Sequence, residues 1–133
     1  MSCKISEEIT ITPVIAPAAQ SYGGNTTGAY IKCPPGLGSI DFVVRHDALA
    51  ATKTVTVEVF QATDTSGTGA AEITKYETTV TAPEGNATDG TISISVDNAD
   101  VSKGYVTVKV SNTAASGTVP IDAFAMTRKQ NLK

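Results

Sequence analysis

Aromatic and charged residues are both scarce in this chain of 133 residues. It has no tryptophan, aromatic side chains make up 5% of the sequence, and charged side chains make up 17%. Charged residues usually account for about a quarter of a globular chain. A helical bundle needs more Leu, Glu, Lys and Arg, whereas abundant Thr, Val, Gly and Ser are typical of strands and tight turns. The composition therefore favours an all-β protein.

Further absences exclude whole classes of function. The net charge is −3 and the ten Lys and Arg residues are scattered, so no basic stripe is available for nucleic acid. No run of eighteen apolar residues occurs, and we predict no membrane-spanning segment. The first residues, MSCKISEEIT, lack the basic-then-apolar pattern of a signal peptide. We therefore expect the protein to be made and kept in a cytoplasm, or to be assembled there into something larger.

Combinations of residues that carry out catalysis or bind metals are also lacking. The single histidine, His46, precedes Asp47, but adjacent strand residues point to opposite faces, and we interpret His46 as a surface residue at a strand end. Cys3 and Cys33 are most simply free thiols, although a disulfide between them stays open. The acidic turn 97–104 lacks the ligand spacing of a calcium loop, which favours a solvated turn. We predict no enzyme, no cofactor and no metal.

Period-two alternation is the strongest positive signal in the sequence. Four segments each place three apolar residues on one face and polar residues on the other. The apolar sets are Ile40, Phe42 and Val44; Val55, Val57 and Val59; Ile92, Ile94 and Val96; and Val106, Val108 and Val110. Weaker strands are predicted near 72–81 and 119–127, with Gly-containing turns between strands. The pattern predicts an antiparallel sandwich or jelly roll of about eight strands over residues 22–133.

The N-terminal residues 1–21 differ from the rest. The segment ITITPVIAPAAQ begins as a strand and then meets two prolines, and proline removes a donor from a sheet ladder. We therefore predict an extended arm or edge strand, part of which contacts another protein. The predicted partner-binding residues are five apolar side chains of this region and the tyrosine that follows it: Ile5, Ile9, Ile11, Val14, Ile15 and Tyr22.

Two long segments carry a resemblance to a known class of proteins. They are DFVVRHDALAATKTVTVEVFQATD and ISISVDNADVSKGYVTVKVSNTAASGTVPIDAFAMTRK. Their short strands, Thr/Ala/Gly-rich turns and lack of tryptophan make the last two-thirds of the chain resemble the small capsid decoration, or cement, proteins of tailed bacteriophages. The resemblance is one of style and strand order, and it assigns no role to any single residue.

The resemblance implies a function as well as a fold. A decoration protein is expected to bind the outer surface of a major capsid protein lattice as a homotrimer, and to be located in the virion after assembly in the host cytoplasm. The alternative from a different class is a surface binding module, either an adhesin or a carbohydrate-binding β-sandwich. The small number of aromatic side chains that could stack on sugar rings weighs against the second.

Overall fold

Ten β-strands make up most of the chain in the computed structural model, which describes residues 6–33, 38–83 and 88–131. The first five strands are β1 (Ser6–Ser21), β2 (Asn25–Thr27), β3 (Ile31–Lys32), β4 (Ser39–Leu49) and β5 (Thr54–Ala62). The others are β6 (Ala71–Glu72), β7 (Thr78–Thr81), β8 (Thr88–Asp97), β9 (Tyr105–Asn112) and β10 (Thr118–Asn131). Short 3₁₀ turns span Thr74–Tyr76 and Asn98–Asp100.

The strands form two antiparallel sheets. The front sheet has the order β1-β10-β4-β8. The back sheet contains β9 and β5 at its centre, with β2 and β3 pairing with β9 on one side and β6 and β7 pairing with β5 on the other. Because β2 with β3 and β6 with β7 are each two pieces of one edge, the fold is an eight-stranded jelly roll, in which successive strands alternate largely between sheets. The predicted all-β class is confirmed.

The core lies between the two sheets, and it consists of the apolar residues that alternation predicted to face inward. Phe42, Val57 and Val108 are fully buried, as are most of their neighbours at two-residue spacing. Side chains between them in the sequence, such as Thr91 and Ser93, are exposed. The period of two therefore identified the buried face of each central strand correctly.

A buried polar cluster links the two sheets at one end of the sandwich. The Gln20 amide donates to Thr26 Oγ1 at 2.8 Å and to the Val110 carbonyl at 2.9 Å. Asn112 Nδ2 donates to Gln20 Oε1 at 2.5 Å and to the Ser21 carbonyl at 3.0 Å. These bonds satisfy side chains that would otherwise be costly to bury, and they fix the end of β1 against the back sheet.

A tightly packed glycine, Gly28, lies between β2 and β3 in the back sheet and contacts the front sheet as well. The Gly28 N–H donates to the Val108 carbonyl in the back sheet, and the next N–H, that of Ala29, donates to the Val14 carbonyl in the front sheet, both at 2.9 Å. A β-carbon added at Gly28 would lie 2.3 Å from Val14 Cγ1 and 2.7 Å from Thr107 Oγ1. Only glycine leaves room for the backbone between Val14 and Thr107.

Candidate partner-binding surface

The strand β1 carries most of the residues predicted to bind a partner, and it pairs antiparallel with β10 along its length. Its register shifts between Pro13 and Ile15 and again between Ile15 and Ala18. A bulge of this kind places consecutive residues on the same side of a strand. Val14 and Ile15 accordingly both point into the core, where each is 6% exposed. The prediction that these two side chains contact a partner is therefore corrected: they hold β1 onto the sandwich.

Before the first bulge, β1 presents apolar side chains to the outside. Ile9 is 51% exposed and Ile11 is 61% exposed, which makes them two of the three large exposed apolar residues among those described. The register places Ile11 beside Met126 and Pro13 beside Phe124, and Phe124 in turn beside Val43 of β4. Register partners lie on the same face of a sheet. We name this surface the outer apolar face; its residues are Ile9, Ile11, Pro13, Val43, Phe124 and Met126.

An ion pair and a cavity adjoin the outer apolar face. Arg45 and Asp122 are register partners next to Val43 and Phe124, and Arg45 Nε donates to Asp122 Oδ1 at 2.8 Å. The hydrogen bond and the charge of Asp122 raise the pKa of the Arg45 guanidinium. A cavity of about 370 Å³ opens beside this pair, where Pro17 and Pro120 line its wall. Because the second bulge draws β1 away from a regular ladder here, the front sheet has a recess that an inserted side chain could fill.

The remaining predicted partner-binding residues lie elsewhere. Tyr22 is 59% exposed and follows the end of β1, where its N–H donates to the Gly117 carbonyl at 3.1 Å. At about 3.3 Å per strand residue, it is roughly 35 Å along the strand from Ile11, so the structure does not bring it into the outer apolar face. Ile5 lies outside the described residues. The structure thus groups Ile9 and Ile11 and separates them from Tyr22.

The part of the surface that β4 and β10 supply was only partly predictable from the sequence. Phe124 and Met126 alternate with Ile121, Ala123 and Ala125, and the alternation implies only that two apolar sets face opposite ways. In the structure the set of small residues faces the core and Phe124 and Met126 face outward, half-buried. Which of the two sets of β10 faces the core depends on how much room is left between the sheets, where β4 already places Phe42 and Val44 opposite the back sheet. The amount of room is set by tertiary packing, which the periodicity of one strand does not encode.

Other reactive side chains are accounted for within the fold. His46 is 4% exposed, so the prediction of a surface histidine is wrong: it continues the inward set of β4, with Nδ1 3.1 Å from the Asp47 carbonyl. Cys33 is a half-buried free thiol whose pKa is raised by burial, and Cys3 lies outside the described residues. Among the residues the structure describes, no three His, Cys, Asp or Glu side chains lie close enough to hold a metal ion.

Hydrogen bonds to its two aspartates, Asp97 and Asp100, hold the acidic turn 97–104 in place. Asp97 Oδ1 accepts the Ala99 N–H at 2.9 Å and so caps the 3₁₀ turn. Asp100 accepts hydrogen bonds from the Tyr76 hydroxyl and from Lys75 Nζ, which lower the pKa of its carboxyl. The Tyr76 hydroxyl also accepts the Asp97 N–H at 3.0 Å. These contacts fasten the end of β8 to the turn that follows β6.

Comparison with known proteins identifies the fold. No protein-family model matches the chain. No curated protein sequence matches it either. Among solved structures, a chain of infectious bursal disease virus, Gx strain, matches 92% of this chain with a TM-score of 0.58 and 7% identity. The VP2 subviral particle of the same virus matches 93% with a TM-score of 0.56 and 6% identity. The chain thus has the fold of a β-sandwich found in a viral structural protein, and it spans about a third of those chains (32% and 33%).

A carbohydrate-binding module from Cellvibrio mixtus lichenase 5A has a lower TM-score, 0.45, at 14% identity, over 90% of this chain and 97% of that module. At these identities a structural likeness establishes the architecture alone, because one sandwich fold serves many functions. None of the helical segments in the described ranges is long and apolar enough to cross a bilayer. Function has to be argued from the surfaces of this chain.

Proposed function

We propose that the protein is a structural virion protein that attaches to the outer surface of an assembled capsid through its outer apolar face. The observation that carries the proposal is the exposure of Ile9 and Ile11 beside Phe124 and Met126 on one side of a rigid sheet. A soluble monomer rarely leaves contiguous apolar side chains on a flat surface without a partner. The shared fold with a component of virus particles makes a virion the favoured location.

The size of the surface supports a decoration role within that proposal. The outer apolar face extends over three strands about 4.8 Å apart and over about five residues along the strand direction, which gives an area of about 240 Å². A standard stable interface buries about 800 Å² on each partner. One copy would therefore bind weakly, and firm attachment requires several contacts made together. A homotrimer that bridges neighbouring copies of the major capsid protein would meet that requirement.

In such an arrangement, binding alone stabilises the shell, and no catalysed reaction is needed. A protein that binds assembled capsids and not free subunits shifts the equilibrium toward the assembled form as its sites fill. In this proposal the protein is not an enzyme and requires no cofactor. Its recess beside Arg45 and Asp122 receives a side chain of the partner, with the ion pair at the rim. Rim charges of this kind direct orientation more than they add affinity.

The test uses virus particles purified on a density gradient from the source of the gene. An antibody raised against the chain should label intact particles, and a high-salt or mild denaturant wash should release the chain and leave closed shells. Recombinant protein added back to washed shells should rebind. Light scattering of the purified protein should give the mass of a trimer. Absence of the chain from the particles would sink the proposal, and a monomer in solution would remove its trimer component.

Two phenylalanines on opposite outer faces supply a matched pair of variants for the add-back. Phe124→Ser alters the outer apolar face, whereas Phe60→Ser alters the outer face of the back sheet, and both side chains are half-buried. We expect Phe124→Ser, alone or with Ile11→Ser, to lower rebinding at least tenfold. The Phe60→Ser protein should rebind like the unaltered chain. The reverse order would place attachment on the back sheet and contradict the proposal.

A further inference from the structure

A second surface lies on the opposite side of the sandwich. On the outer face of the back sheet, a cleft of about 310 Å³ opens between the sheet and the loop that follows β5. We name it the aromatic cleft; the lining residues used here are Thr27, Tyr30, Phe60, Ser66, Gly67 and Lys109. Its volume is at the lower end of the range of about 300–1,000 Å³ for small-molecule sites. The cleft is therefore large enough for a small ligand and too small for a folded partner.

The cleft is preorganised by the loop between β5 and β6. The Asp64 carboxylate accepts the N–H groups of Ser66 at 2.9 Å and of Thr68 at 3.1 Å, and the hydrogen bond from Thr68 is the main cause of the lowered pKa of Asp64. Gly67 has a φ of +84° and packs on the Tyr30 ring, so that a β-carbon there would lie 3.0 Å from Tyr30 Cε2. A glycine at this point lets the loop backbone approach the Tyr30 ring closely. A rigid wall of this kind lowers the cost of ordering a site on binding.

Aromatic and polar groups converge in the cleft. Phe60 and Lys109 are on the outer face of the back sheet, with Lys109 Nζ 5.7 Å from the centre of the Phe60 ring. Thr27 is the register partner of Lys109 on the other side and adds a hydroxyl. Two aromatic rings, two hydroxyl side chains and one ammonium thus surround a single opening. A ligand that fits must offer both an apolar surface for the rings and hydroxyl or carbonyl groups for the polar atoms.

The charges around the cleft decide between neutral and anionic ligands. The register places Glu58 beside Lys109 and Glu72 beside Phe60. Glu72 has a raised pKa, caused first by desolvation and then by the charges of Glu58 and Glu77. Lys109 is the lysine that lines the cleft, and the Glu58 and Glu72 carboxylates beside it disfavour a phosphate or a nucleotide, although both would otherwise suit a cleft with aromatic rings. The ligand that remains is neutral, ring-shaped and rich in hydroxyl groups.

We infer that the aromatic cleft binds a neutral saccharide, with a sugar ring stacked on Tyr30 and Phe60 and its hydroxyls bonded to Thr27, Ser66 and Lys109. This activity is separate from the outer apolar face and does not depend on it. A protein with both surfaces could hold its partner by the front sheet and a glycan by the back sheet.

The test is a glycan microarray probed with the purified full chain, followed by NMR titration with the neutral oligosaccharide that gives the strongest signal. Cellohexaose, xylohexaose and chitohexaose are titrated in any case, together with inorganic phosphate, ATP and a proline decapeptide. We expect at least one neutral glycan to bind and to shift the amides of Tyr30, Phe60, Gly67 and Lys109. No bound glycan, shifts elsewhere, or preference for phosphate, ATP or the peptide would each overturn the inference.

Variants assign the binding to the rings. Tyr30→Ala and Phe60→Leu should each weaken glycan binding by roughly tenfold or more, because stacked aromatic surface is removed while an apolar residue remains. Tyr22→Ala is the matched control, since this exposed ring lies outside both the cleft and the outer apolar face, and binding should be unchanged. A thermal midpoint measured for every variant separates loss of the site from loss of the fold. Equal binding by the cleft variants and the control would contradict the assignment.

Discussion

Replacing Gly28 with alanine should destabilise the protein strongly, although alanine is a small residue. The added β-carbon would lie 2.3 Å from Val14 Cγ1, 2.7 Å from Thr107 Oγ1 and 3.2 Å from Ile15 Cγ1. Carbon atoms in contact normally stand about 3.5–4.0 Å apart, so the neighbour must move by more than 1 Å. Such overpacking costs about 3 kcal/mol, which for a domain of this size lowers the Tm by about 10 °C or more. Thermal unfolding followed by circular dichroism measures it.

A matched control and a compensating variant test whether the loss of stability comes from the clash at Gly28. At Gly38 an added β-carbon would meet only Asn98 Nδ2, at 3.8 Å, and its φ is not positive. Gly38→Ala should therefore be neutral or stabilising by about 0.4–1 kcal/mol. Adding Val14→Ala to Gly28→Ala removes the closest contact, and the two should couple favourably by about 1 kcal/mol. Equal Tm values for Gly28→Ala and Gly38→Ala would refute the idea that Val14 and Thr107 pack tightly against Gly28.

Three further predictions concern the core and the charged turns. Val108→Asp should abolish the folding transition in urea, since a fully buried side chain would become an unpaired charge. Tyr76→Phe should lower the unfolding free energy at pH 7, by less than Val108→Asp, because Asp100 and the Asp97 N–H lose a hydrogen-bond partner that water can replace. Since the pKa of Asp100 is lowered by folding, its contribution is present above pH 3.8 and is lost as pH falls; an acid titration should be flatter in Tyr76→Phe. Glu72 has the opposite sign: its raised pKa means stability falls as pH rises above 4.5, so Glu72→Gln should be more stable than the unaltered protein at pH 7 and not at pH 3. Equal stabilities at both pH values would contradict this.

The alternation of apolar and polar residues predicted the central strands of this fold because one face of each strand is exposed to solvent. In β5 the valines at two-residue spacing are buried and the residues between them reach the surface, so the sequence itself marks the two faces. In β9 the valines are likewise buried, but Thr107 between them is buried as well. The same logic misplaced His46, because it was treated as the end of a strand. The inward set Ile40, Phe42 and Val44 continues to His46, and β4 extends to Leu49. Whether a polar residue at an inward position is buried depends on what covers it; His46 is covered by β8 at Gly90.

The surfaces were harder to predict than the core. Ile9 and Ile11 could be identified as exposed apolar residues, whereas Val14 and Ile15 could not be told apart from them, since the bulge that turns both inward depends on pairing with β10. The aromatic cleft joins Tyr30 to Phe60, thirty positions later, and no short-range pattern relates them. Sites assembled across strands from different parts of a chain are set by topology, which sequence spacing does not reveal.

The two prolines of β1 have a consequence for how copies of this protein can associate. Pro13 and Pro17 sit in a strand that pairs with one other strand among the described residues, β10, while the Ala29 N–H bonds the Val14 carbonyl between the two prolines. Each proline lacks the N–H that an incoming strand would need, and the two bulges bend the backbone away from a straight template. Edge-to-edge addition of a strand from a second copy is therefore blocked at the β1 edge of the front sheet. Copies that are crowded together would meet there through the faces of their sheets and not through new backbone pairing.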